Sequence, residues 1–91
     1  MTAKEMFEEL GFKQTLCINE DWEEHAQIEY ESSFDEYTKR TIYFVDKGFY
    51  TNLYNYDFEK EKIECVGGCI VDYEMLKAIT QQMKELGWLD D

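Results

Sequence analysis

Between residues 15 and 66 the chain changes period, and this most narrows the folds open to it. Apolar side chains recur there at every second position, the mark of half-buried strands. The links between the alternating runs are short. Parallel neighbours need crossovers of about a dozen residues or more, so the strands must pair antiparallel. His25-Ala26-Gln27-Ile28-Glu29-Tyr30-Glu31 alternates cleanly, with Ala26, Ile28 and Tyr30 predicted inward and Gln27, Glu29 and Glu31 outward. Thr15-Leu16-Cys17-Ile18-Asn19 is a shorter candidate with Leu16 and Ile18 on one face. Arg40-Thr41-Ile42-Tyr43-Phe44-Val45 is rich in β-branched and aromatic residues. Asp46-Lys47-Gly48 fits a three-residue hairpin loop with glycine in the left-handed position, returning through Phe49–Tyr56. Ser32–Glu36 and Asp57-Phe58-Glu59-Lys60 read as turns, and Lys62–Val66 as a last strand before Gly67-Gly68.

Helical segments flank this region. In the second, Leu76, Ile79, Met83 and Leu86 form an apolar stripe that Met75 widens, with Lys77, Gln81, Lys84 and Glu85 on the wet side. Asp72 is placed to cap its start. The first follows a capping box, Thr2-Ala3-Lys4-Glu5, and puts Ala3, Met6, Phe7 and Leu10 on one side. Both stop on Leu-Gly-aromatic, Leu10-Gly11-Phe12 and Leu86-Gly87-Trp88. Glycine takes the left-handed terminal position and the aromatic folds back over the last turn. The expectation is one α+β domain over residues 1–91: two layers, an antiparallel meander of four or five strands, and both helices on one face.

The chain carries 21 acids against nine bases, a net charge of −12. Residues 1–36 hold a net −9, and residues 37–91 a net −3. Such a surface repels nucleic acid and anionic membrane and attracts basic partners. It also keeps a small protein dispersed. Three cysteines do not suggest a disulfide framework, and neither a signal peptide nor an apolar run of membrane-spanning length is visible. A cytoplasmic protein with reduced thiols is the expectation.

Four constellations bear on chemistry. Cys65-Val66-Gly67-Gly68-Cys69 with Cys17 and His25 has the composition of a Cys₃His zinc set. The paired-knuckle spacing is absent, Cys65 sits beside Ile63 in an alternating strand and Cys17 between expected core residues, as small buried hydrophobes do, so no metal or other cofactor is expected. His25 stands alone as a histidine, no phosphate loop follows Gly67-Gly68, and no nucleophile signature surrounds a cysteine; the reading is non-enzymatic. Tyr50, Tyr54 and Tyr56 share a strand face with Tyr43 on the neighbouring strand. They either form stabilising cross-strand pairs or present a contact surface. Glu20 to Glu36 holds eight acids and neither Lys nor Arg. Glu29 and Glu31 project to the same side about 6.8 Å apart, near the spacing of successive phosphates. Fixed anions at that spacing compete for a basic groove, and a solvated sheet face is the plainer alternative.

The two ends, Met1-Thr2-Ala3-Lys4-Glu5-Met6-Phe7-Glu8-Glu9-Leu10-Gly11-Phe12 and Ala78-Ile79-Thr80-Gln81-Gln82-Met83-Lys84-Glu85-Leu86-Gly87-Trp88, resemble small proteins carried by phages and prophages of Gram-positive bacteria. The matching residues are helix stripes and caps, so the resemblance bears on fold first. It implies a place among small acidic proteins, some of which inhibit host defence nucleases, and supplies no site residues. The reading is therefore a binding protein that inhibits a basic nucleic-acid-handling host protein by anionic mimicry. Glu20, Asp21, Glu23, Glu24, Glu29, Glu31, Asp35 and Glu36 form the expected contact surface and Trp22 its apolar anchor. The alternatives are a small-ligand binder with an aromatic pocket around Tyr43, Tyr50, Tyr54 and Trp88, and a module that self-associates through a strand edge.

Overall fold

The computed structural model describes residues 1–18, 25–33 and 35–89. In chain order they form α1 (Ala3–Glu9), β1 (Lys13–Ile18), β2 (Gln27–Ser33), β3 (Thr38–Val45), β4 (Gly48–Asp57), β5 (Lys62–Gly67) and α2 (Tyr73–Glu85). The strands make one antiparallel sheet in the order β1-β2-β3-β4-β5. Every hydrogen-bonded neighbour is also the neighbour in sequence, as the short links require.

Both helix stops have the predicted chemistry. Gly11 and Gly87 take φ of 89° and 75°. The Phe12 amide then donates to the Phe7 carbonyl and the Trp88 amide to the Met83 carbonyl, each at 2.9 Å. Gly11 and Gly87 donate to Glu8 and Lys84 at 3.0 Å, which completes a Schellman motif at each end. At the starts, Asp72 accepts from the Met75 amide at 2.9 Å, and Thr2 and Glu5 form the reciprocal capping box. Hydrogen bonds from the Thr2 amide and hydroxyl hold the Glu5 carboxyl below its ordinary pKa. The helices are tied together where the Ala3 amide donates to Glu85 at 2.7 Å.

The core lies between the helices and one face of the sheet. Ala26, Ile28 and Tyr30 of the second alternating run are buried as predicted, with Ile42 and Phe44 from β3 and Phe7, Met75 and Ile79 from the helices. Phe7 stacks on Tyr30 with centroids 4.1 Å apart, and Phe44 meets both rings edge-on. The Tyr30 hydroxyl donates to Gln82 of α2 at 2.6 Å and accepts from Gln14 of β1 at 3.2 Å. Burial pushes the Tyr30 phenol up to about 12.

Several details depart from the sequence reading. Leu76 is half exposed, because the stripe that faces the sheet runs Met75, Ala78, Ile79, Gln82 and Leu86. Gln82 joins it because Tyr30 offers its amide a partner. A bulge at Thr15 shifts register between Gln14 and Leu16, so Leu16 and Ile18 pair opposite Glu29 and Gln27 and turn away from the core. Cys17 on β1 and Cys65 on β5 are both exposed, rather than buried as small hydrophobes, because each lies on an edge strand of the sheet. Ser32 and Ser33 belong to β2 rather than to a turn. The β3–β4 turn has two residues. Val45 pairs with Gly48, and Asp46 and Lys47 take φ of 52° and 62°, the primed turn that matches strand twist.

Two outcomes follow for stability. Gly11→Ala and Gly87→Ala each force a Cβ into the left-handed region, at a cost of about 1–2 kcal/mol in urea denaturation. Tyr30 favours its neutral form in the fold, so its contribution is fully present below the ordinary phenol pKa. It is lost as pH rises from there through about 12. Tyr30→Phe should flatten that alkaline loss, read by circular dichroism against pH.

Candidate interaction face

Both helices lie on one side of the sheet, and the molecule is 17 Å across its thinnest axis. One sheet and one helix layer, about 10 Å thick, fill that depth. The opposite sheet face is therefore open among the described residues. Cross-strand register sorts its side chains into rows. Glu29, Tyr43 and Tyr50 form the first, Glu31, Thr41 and Asn52 the second, and Ser33, Lys39, Tyr54 and Cys65 the third. Tyr56 and Ile63 form the fourth, which Tyr37 extends by accepting from the Tyr56 amide at 2.8 Å.

The acids on this face are held in place. Glu29 accepts from the Thr15 hydroxyl at 2.8 Å. The Lys39 ammonium stands 3.7 Å from Glu31 and 5.3 Å from the centre of the Tyr54 ring. Asp35 accepts from the Tyr37 and Thr38 amides at 2.7 and 2.9 Å, which fixes the approach to β3. Glu31, Asp35 and Glu36 line one cleft of about 240 Å³ with Tyr37, Lys39 and Tyr54. Glu29 lies one row away from Glu31. Glu20, Asp21, Trp22, Glu23 and Glu24 lie outside the described residues.

The tyrosines share this face as the period predicts. Tyr43 and Tyr50 stack with centroids 6.2 Å apart and planes 10° apart, and the Tyr43 hydroxyl donates to Gln27 at 2.7 Å. The proposed aromatic pocket does not form. Trp88 packs against the core on the helix side, with the sheet between it and Tyr43, Tyr50 and Tyr54. The Cys₃His set does not form either. Cys17 sits on β1 and Cys65 on β5, at opposite edges of the sheet, separated by four strand spacings or about 19 Å across it and offset along the strands as well. No group of three or more His, Cys, Asp or Glu side chains among the described residues is arranged to hold a metal ion.

Sequence reasoning missed Tyr37, Lys39 and Phe58. Phe58 lies in what reads as a polar turn, yet its ring sits 4.9 Å from Tyr37 and 5.0 Å from Tyr56. Tyr37 and Lys39 continue the two-residue step of Thr41 and Tyr43, and extending the strand by that step would have found them. Arg40, by contrast, is turned to the helix side, its guanidinium 4.6 Å from the centre of the Phe12 ring.

No protein-family model matches the chain, and neither the curated proteins nor the solved structures contain a match to it.

The Tyr43–Tyr50 stack makes a measurable pair. A double-mutant cycle through Tyr43→Ala and Tyr50→Ala should give a coupling of about 0.5–1 kcal/mol in chemical denaturation. A coupling of zero would reduce the pair to mere adjacency.

Proposed function

We propose that the chain is a non-enzymatic binding protein that presents its open sheet face to a basic surface of another protein. The phage-type reading narrows that partner to a nucleic-acid-handling host protein held by anionic mimicry. The observation that carries the proposal is the row geometry: Glu29 and Glu31 project from the same open face, beside tyrosines from two further strands. Aromatic side chains beside carboxylates, with no layer over them among the described residues, match a protein contact surface.

The hydrogen bond from Thr15 and the ion pair from Lys39 bear on how mimicry works here. Each restricts a carboxylate before a partner arrives, so less side-chain entropy is lost on binding. Lys39 also offsets part of the Glu31 charge, so the face is less anionic than a run of bare carboxylates. The tyrosines then supply contact area that a pure phosphate mimic lacks. No helix among the described residues is long and apolar enough to cross a membrane, and the acidic field disfavours an anionic lipid surface.

Binding to the basic partner should weaken steeply between 50 and 500 mM salt, because exposed charges are screened beyond about 8 Å at physiological ionic strength. The combined Glu29→Lys and Glu31→Lys reversal should abolish it. A pull-down from host lysate at both salt concentrations reads this. Capture that survives both high salt and the reversals would remove the electrostatic basis of the proposal.

A further inference from the structure

The open face ends in a feature that its acids do not explain. Tyr37, Tyr56 and Phe58 come from the approach to β3, the end of β4 and the following turn, and their centroids lie 4.9 to 5.9 Å apart. Phe58 is 66 % exposed and Tyr37 42 %. Large aromatic rings at that exposure forgo the burial that usually stabilises them. They are nevertheless held firmly. Asp35 accepts from the amides of Tyr37 and Thr38, and Asp57 accepts from those of Glu59 and Lys60 at 2.9 and 3.1 Å. One aspartate turn therefore presents Tyr37 and a second presents Phe58.

A cleft opens on each side of these rings. The first, of about 240 Å³, is the one that Asp35 and Glu36 line beside Tyr37. The second, a shallow depression of about 480 Å³ beside Tyr56 and Phe58, is lined by Asp57, Glu59 and Glu64, of which Glu64 is already paired with Lys60 and Lys62 at 3.1 and 3.5 Å. Beside the rings, Asp35 and Glu36 on one side and Asp57 and Glu59 on the other carry the carboxylates that are not given over to Lys39, Lys60 or Lys62. In the first cleft the chain's own Lys39 combines the two kinds of contact, 3.7 Å from the Glu31 carboxylate and 5.3 Å from the centre of the Tyr54 ring.

We infer that the ridge of Tyr37, Tyr56 and Phe58 is the anchoring point for an arginine side chain of the basic protein partner. This rests on the proposal that the partner is a basic protein and specifies how it is gripped. A guanidinium is planar and weakly hydrated, so it stacks on an aromatic face and still reaches carboxylates at the rim with its forked donors. A lysine ammonium is a compact, strongly hydrated point charge and gains less from the rings. The ridge therefore selects arginine over lysine, which net charge alone does not.

The test uses the intact protein and two peptides of equal length and charge, one with arginine and glycine and one with lysine and glycine, in calorimetric titrations at low salt. The arginine peptide should bind about tenfold more tightly, and Phe58→Ala should bring the two affinities together. Phe58 is largely exposed, so the variant keeps the core. As a second reading, the Tyr37 and Tyr56 ring resonances should shift with the arginine peptide in the unaltered protein. Equal affinities for the two peptides, or a preference that Phe58→Ala leaves intact, would overturn the inference. If the Glu29→Lys and Glu31→Lys reversal abolishes binding of both peptides while Phe58→Ala changes nothing, the basic-partner proposal stands and the ridge does not. If neither peptide binds, both are overturned.

Discussion

The ring of Tyr30 lies against α1, and its hydroxyl reaches α2. Phe7 stacks on it at 4.1 Å, Phe44 meets it edge-on, Gln82 accepts a hydrogen bond from its hydroxyl at 2.6 Å and Gln14 donates one to it. One side chain from β2 therefore touches both helices and both flanking strands. Burying a tyrosine is favourable for its ring and costly for its hydroxyl unless a partner is supplied. Gln82 supplies it, and a polar residue thereby belongs to the buried stripe of α2. The arrangement sets the side on which the helices pack, because the phenol cannot be buried toward the opposite face without losing Gln82.

The open face is the consequence of that choice. Two short helices cover one side of the five-stranded sheet, and the remaining described residues place no further element on the other. The same choice sorts the charges. Arg40 has helix-side parity on β3 and lies over Phe12, while Lys39, one residue earlier, faces outward beside Glu31. A strand's alternation thus removes one base from the open face and keeps another as a local brace.

Most of the fold was legible because it rests on local rules. The Leu-Gly-aromatic stops, the Thr2 capping box, the Asp72 cap and the inward set Ala26, Ile28 and Tyr30 each follow from a few adjacent residues. What was missed depends on partners far apart in sequence. Gln82 is buried only because Tyr30 arrives from 52 residues away. Leu16 and Ile18 face outward because a bulge at Thr15 changes their parity, and a period-two pattern carries no sign of a bulge. Of the candidate site, Glu29, Glu31 and the tyrosine face could be read from alternation alone. Phe58 could not, since a turn residue has no periodicity, and its meeting with Tyr37 depends on how β3 and β4 pair.

The acids and the aromatic ridge answer different demands in the proposed complex. From the Glu29 row to the Tyr37 row is three steps of two residues, about 20 Å along the strands. That exceeds the Debye length of about 8 Å at physiological salt, so Glu29 adds little to a cation seated on the ridge. Exposed carboxylates spread along the face act before contact, by raising the rate at which a basic surface arrives. The ridge acts after contact, since desolvated aromatic anchors govern how slowly a complex comes apart. On that proposal an acidic chain would gain encounter rate from many residues, while partner choice and lifetime would be concentrated in three rings at one end of the sheet.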